Sequence, residues 1–285
     1  MNDEVDIRRE SLNKVAFGIA AMFGIYWIYS IFIADKLSIS SGFKPITGYV
    51  LLYAIGLEVF LFIARKTDEQ AYAKSKVSSK TLLICFLLQF TALMIRAIIG
   101  ILEKDASTDD LITLSPYMIF MLLIFAPVVE ELVFRHLFAT RLLKYGERFY
   151  ILVSALCFAL VHGFSLGFQG MIYPFFLGLI YAYLMVKSGN IILVMIMHAL
   201  SNLFGSILIQ FFIGVSKEAT IIYMILLMVL GVIGLVLFFR NRKNISLDGT
   251  PGLVNKAALK DVITNKGILF FTAFTAIIVL LKRSI

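Results

Sequence analysis

The sequence predicts an all-α, polytopic transmembrane bundle of about eight or nine spans, with its N-terminus on the cytoplasmic side. Three observations carry that prediction: the apolar composition, the length of the uncharged runs, and the placement of basic residues between them. The chain is 285 residues long, 60% hydrophobic and only 15% charged, with a mean hydropathy of +0.94. A soluble domain of this length needs more polar surface, so the apolar excess must face lipid.

A bilayer core of about 30 Å is crossed by roughly 20 helical residues. Runs of that kind lie near 15–34, 46–64, 81–101, 116–138, 149–165, 170–186, 190–213, 219–239 and 267–281. The last is short and is compatible with a tilted span or an interfacial helix. Between the eighth and ninth runs, Arg240 to Lys266 is polar and contains Gly249-Thr250-Pro251-Gly252, which reads as a loop followed by a short surface helix around Asn255 to Thr264. No repeat or low-complexity tract interrupts the pattern, and the polar N-terminus, Met1 to Lys14, has no cleavable signal peptide.

Orientation follows from the basic residues. With the N-terminus inside, 18 of the 26 Lys and Arg fall in cytoplasmic segments. Only Lys36, Lys44, Lys104, Lys217, Lys282 and Arg283 face the other side, and Arg96 and Arg135 lie within spans. The net charge of +8 is therefore a topology signal, not a nucleic-acid surface, because it is dispersed between apolar runs. Cys85 and Cys157 both sit inside such runs and read as small buried hydrophobes.

Against this background the intramembrane polar residues stand out. An ionisable group at the centre of a span costs about 2.5–3.5 kcal/mol on insertion scales, so each needs a reason. They are Glu130, Glu131 and Arg135 in the fourth run, His162 in the fifth, and His198 with Asn202 in the seventh. At about 1.5 Å per residue from the cytoplasmic ends, Glu130 lies about 16 Å deep, His162 about 20 Å, His198 about 12 Å and Asn202 about 18 Å. Three helices thus deliver polar groups to one slab of the membrane.

Glu131 and Arg135, four apart, share a helix face and pair. Glu130 projects from an adjacent face, and a carboxylate held in a dry site is a candidate general base. Pro127 has no N–H, which is expected to free the carbonyl of Leu123 and kink the helix. Gln89 and Gln210 read as interhelical hydrogen-bond partners, and Arg96 as a residue snorkelling to the outer surface.

Glu130-Glu131-Leu132-Val133-Phe134-Arg135 reads as EExxxR, Phe158 to His162 as FxxxH, and His198 to Asn202 as HxxxN. In this order, each in its own span, the three motifs resemble the CPBP family: type II CAAX prenyl endopeptidases and Abi-like proteins proposed to act in bacteriocin immunity. Phe176 to Gly178 and the turn Ser188-Gly189-Asn190 agree, and the resemblance covers about Pro116 to Phe204.

The resemblance implies intramembrane peptide-bond hydrolysis. Glu130 and His162 would activate a water, while His198 and Asn202 would stabilise the oxyanion. Glu131, Arg135 and Phe158 would support them. Two cofactor readings fit the same residues: a zinc ion held by Glu130, His162 and His198, or a metal-free, glutamate-activated water. The chain then divides into N-terminal transmembrane helices (1–110), a CPBP-like catalytic core (116–213), and C-terminal helices with a polar loop (214–285). Its expected partners are membrane lipid and a peptide or protein substrate, with no nucleic acid, and the resemblance suggests a bacterial cytoplasmic membrane. The competing classes are a non-catalytic scaffold or immunity protein of the same fold and a proton-coupled carrier. The lack of inverted repeats disfavours the carrier.

Overall fold

In lipid no water is at hand to pair with backbone N–H and C=O groups, so long apolar runs resolve into helices. The structure, a computed structural model, describes residues 2–38, 43–65, 74–103, 114–251 and 256–284. Among the described residues eight helices are long and apolar enough to cross a membrane: α1 (Glu4–Lys36), α2 (Phe43–Ile63), α3 (Ser79–Gly100), α4 (Pro116–Tyr145), α5 (Glu147–Gly170), α7 (Ile191–Val215), α8 (Lys217–Asn244) and α10 (Lys266–Ser284). Between them α6 (Ile172–Ser188) is apolar but shorter, and α9 (Lys256–Ile263) is the short helix expected before the last span. The segment read as short, 267–281, extends to 19 residues.

The only β structure among the described residues is a two-residue antiparallel ladder, Ser246–Leu247 with Thr250–Pro251, turned by Asp248 and Gly249 at positive φ. Gly252 and Asn255 lie outside the described residues.

Helix starts follow the capping residues of the sequence. Ser115 Oγ accepts from Met118 N–H with Pro116 in the first turn of α4, Asn190 Oδ1 accepts from Ile192 and Leu193 N–H at α7, and Ser216 Oγ accepts from Ala219 N–H at α8. Several spans contain π-helical turns, among them Met121–Phe125 and Leu132–Leu137 in α4 and Leu203–Ile207 in α7. Such turns add a residue to the helical register and re-aim the side chains around them.

The chain forms two compact units, each assembled from separated segments. The first comprises Met1–Gln70, Thr140–Met171 and Val254–Ile285. Here Trp27 of α1 is buried among Phe164 of α5 and Phe271 and Phe274 of α10, at ring-centroid distances of 6.0, 6.3 and 5.8 Å. Asp261 of α9 binds Arg8 and Arg9 of α1, which pins the surface helix to the first span. In the last turns of α5, Gly167 adopts φ 71° and ψ −176°, a conformation open to glycine and strained for other residues.

The second unit comprises Ala71–Ala139 and Ile172–Leu253. Its frame is the pair α3 and α8, which meet over Phe90, Leu87, Tyr223 and Leu227. Gly231 and Gly234 bring α8 against the α3 backbone, and Thr91 Oγ1 donates to the Gly231 carbonyl at 2.7 Å. Close backbone approach through small residues is how membrane helices gain contact when lipid offers no hydrophobic drive.

A Cβ at Gly234 would stand 2.6 Å from the Leu87 carbonyl carbon, an atom that cannot step aside. Gly234→Ala is therefore expected to cost about 1–3 kcal/mol. Gly214→Ala, at a position with nothing within 4 Å, is the neutral control. Thermal unfolding in lipid nanodiscs reads the difference, and equal melting temperatures would refute the contact.

Gln89 is buried and its amide nitrogen has no hydrogen-bond partner, contrary to the interhelical bond expected for it.

Candidate active site

The polar residues of α4 and α7 come together in the second unit. Glu131 and Arg135 pair as their spacing demands, with Arg135 Nε 2.9 Å from Glu131 Oε2, and both side chains are fully buried. The pairing survives the π-helical turn Leu132–Leu137 that separates them.

His198 of α7 completes the arrangement, and its tight partner is Glu131 rather than Glu130. Nδ1 of His198 lies 2.8 Å from Glu131 Oε1, whereas Nε2 lies 3.9 Å from Glu130 Oε2. A carboxylate paired with arginine is an acceptor only, so Nδ1–H is the donor. That bond fixes the tautomer and aims Nε2 at Glu130. Glu131 thus has a guanidinium in ion-pair contact with one oxygen and accepts from an imidazole on the other, so its buried charge is compensated.

Glu130 is less deeply buried than Glu131, with its side chain 20% exposed. Its Oε2, the oxygen nearer His198, is nonetheless buried.

Asn202, one turn beyond His198, donates from Nδ2 to the Leu122 carbonyl at 2.8 Å. The reason lies in α4. Pro127 lacks an N–H, and in an α-helix it would leave Leu123 without its donor. Here the preceding turn, Met121–Phe125, is π-helical, and Ala126 N–H bonds to the Met121 carbonyl. In that register the carbonyl deprived by Pro127 is that of Leu122, one residue earlier than expected. Asn202 supplies the missing donor, and its amide carries a second hydrogen for another acceptor.

Two tyrosines of α6 join the cluster, and neither was anticipated from the sequence. The Tyr181 ring stacks on the His198 imidazole at 5.2 Å and 24°, and Arg135 Cζ lies 5.5 Å from the same ring. Tyr173 is hydrogen-bonded to Ser201 of α7 at 3.0 Å, and Arg96 Cζ lies 5.9 Å from its ring. Arg96 thus rests on an aromatic face of its own unit, a contact that snorkelling alone does not foresee. In a chain with 12 Tyr, nothing marked these two except their position one helix before the HxxxN segment.

His162 belongs to the first unit, on α5. Its Nδ1 is 2.7 Å from the Phe158 carbonyl, and its ring packs 4.5 Å from the Phe158 ring. A carbonyl can only accept, so Nδ1 carries the hydrogen and Nε2 the lone pair. The FxxxH spacing therefore has a local meaning: residue i−4 supplies both the aromatic wall and the acceptor that sets the tautomer.

A catalytic zinc ordinarily takes three protein ligands. Among the described residues no three His, Cys, Asp or Glu side chains converge to hold a metal ion. The donor set expected for zinc from the sequence does not fit a metal in this structure.

Comparison with the curated proteins and with the solved structures gives no match. Comparison with protein families does, and it falls on the segment that contains EExxxR, FxxxH and HxxxN. Residues 112–204, about a third of the chain, match the model of the family described as type II CAAX prenyl endopeptidase Rce1-like, so this segment is similar to that family.

Proposed function

We propose that this multi-pass membrane protein hydrolyses a peptide bond of a membrane-associated peptide or protein, with Glu130 as general base and His198 as the group that meets the developing negative charge. The observation that carries the reading is the pairing of His198 Nδ1 with a buried Glu131–Arg135 ion pair, which leaves Nε2 facing Glu130 across 3.9 Å.

With Nδ1–H donated to Glu131, the imidazolium of His198 presents Nε2–H and Glu130 presents a carboxylate oxygen. At 3.9 Å the two are too far apart for a direct hydrogen bond, and a water between them accepts from Nε2–H and donates to Glu130. Glu130 takes a proton from that water as it attacks the scissile carbonyl. The proton then passes to the departing amine, so the peptide C–N bond breaks as the new C–O bond forms. A protonated His198, held by Glu131, donates Nε2–H to the oxyanion, and the second amide hydrogen of Asn202 is suited to the same task. For His162 the family motif implies a part in water activation, and within its own unit Phe158 sets its tautomer. Every step uses side chains of the chain itself.

The family supports a substrate whose C-terminal segment is anchored in the bilayer by a prenyl group. A bacterial membrane suits the reading of the sequence, and a bacteriocin-related target is the alternative substrate that the resemblance allows. The test is purified protein in lipid nanodiscs with a farnesylated peptide carrying a three-residue C-terminal extension. Release of the extension is expected, it is expected to survive exhaustive chelation, and His198→Ala is expected to slow it by about 10²–10³-fold, the range for loss of one oxyanion donor. No release from farnesylated or unmodified peptides would remove the hydrolase reading; release abolished by chelation and restored by zinc would replace the metal-free step.

A further inference from the structure

We infer that Tyr181 is a positioning residue for the proposed reaction, holding the His198 imidazole in the orientation that lets it face both carboxylates. The inference rests on the hydrolase reading and adds a residue that no motif contains.

Nδ1 of His198 is tethered to Glu131 at 2.8 Å. The Tyr181 ring adds a constraint on the plane of the imidazole. It lies nearly parallel to the imidazole, 24° apart with centroids at 5.2 Å, and the side chain is fully buried. Rotation of the imidazole away from Glu130 would have to displace an aromatic ring from a packed interior, where voids and overlaps are both costly.

The same ring lies 5.5 Å from the Arg135 guanidinium carbon, so it spans the two ends of the Arg135–Glu131–His198 chain. Its electron-rich face favours a cation, whether guanidinium or imidazolium. Tyr181 therefore restrains the donor in position and favours the protonated state of His198 that the oxyanion requires. The ring faces the imidazole, while the hydroxyl has Ser201 of α7 as its polar neighbour.

That distinction makes the inference testable. Tyr181→Phe keeps the ring and is expected to stay within about 3-fold of wild type, because the aromatic face against the imidazole is retained. Tyr181→Leu fills much of the space without the aromatic face and is expected to lower kcat by about 10–100-fold, with KM changed less than about 3-fold, as for an interaction made only in the transition state.

A residue that acts through His198 has nothing to act on once the imidazole is gone. On a His198→Ala background, Tyr181→Leu is then expected to cause no further loss in kcat. An equal additional loss on that background would show a general packing role and overturn the inference, as would a Phe variant as slow as the Leu variant. If His198→Ala itself leaves cleavage at the wild-type rate, the hydrolase reading fails first. If His198→Ala is slow and Tyr181→Leu is not, the hydrolase reading stands and only the inference falls. Should Tyr181→Leu not fold, Tyr181→Trp and Tyr181→Met, which keep bulk with and without an aromatic face, make the same comparison.

Discussion

Glu130→Gln is expected to lower peptide cleavage by about 10²–10⁴-fold, the usual contribution of a positioned general base. Glutamine matches glutamate in size and can still hydrogen-bond, so the side chain keeps its place opposite His198 Nε2, now 3.9 Å from the carboxylate. What it loses is the capacity to take a proton from water. Glu130 is also not the carboxylate that holds Arg135 in the 2.9 Å ion pair, a task that falls to Glu131. The melting temperature should therefore move little while the rate collapses. Initial rates from a quenched fluorescent peptide in proteoliposomes, measured beside thermal unfolding, separate the two effects. A variant within tenfold of wild type would remove Glu130 from the chemistry. Full biological function in a variant that no longer cleaves would favour a scaffold.

The second large effect is expected at Arg135. Its side chain and that of Glu131 are both fully buried, so removal of the guanidinium strands a carboxylate in a medium that cannot solvate it. Breaking one side of such a pair costs about 3–5 kcal/mol, whereas replacing both partners by neutral groups is often close to neutral. Arg135→Met should accordingly destabilise strongly, and Glu131→Gln with Arg135→Met should recover most of the loss. Activity should not recover with it, because a neutral amide at 131 no longer supports a protonated His198. Denaturant titration in mild detergent, paired with the cleavage assay, tests both halves. A double variant as unstable as the single one would show that the pair's charge is not what the fold requires. A double variant with wild-type cleavage would show that His198 does not need its carboxylate.

The two substitutions also divide the neighbouring glutamates by role. One carboxylate is fully buried, paired with Arg135 and bonded to His198 Nδ1. The other is partly exposed and lies 3.9 Å from His198 Nε2. Adjacent residues on a helix point about 100° apart, so a single Glu-Glu dipeptide serves two directions at once.

The sequence by itself determined the spans, because each long uncharged run has only one way to satisfy its backbone in lipid. It also singled out Glu130, Glu131, Arg135, His162, His198 and Asn202, since ionisable and amide groups are conspicuous where lipid penalises them. Even the Glu131–Arg135 pair was legible, because partners four apart on one helix need no tertiary information.

Contacts between helices were another matter. That His198 takes Glu131 as its tight partner, that Asn202 serves the Leu122 carbonyl, and that Tyr181 lies against the imidazole were decided by tertiary structure alone. Hydropathy shows which side chains are expensive in a membrane, but not the angle at which each leaves its helix. That angle depends on π-helical turns such as Met121–Phe125, where one added residue shifts which carbonyl Pro127 leaves unpaired. The placement of α5, with His162, in a different compact unit from α4 and α7 was equally invisible, because chain order does not reveal which helices pack together.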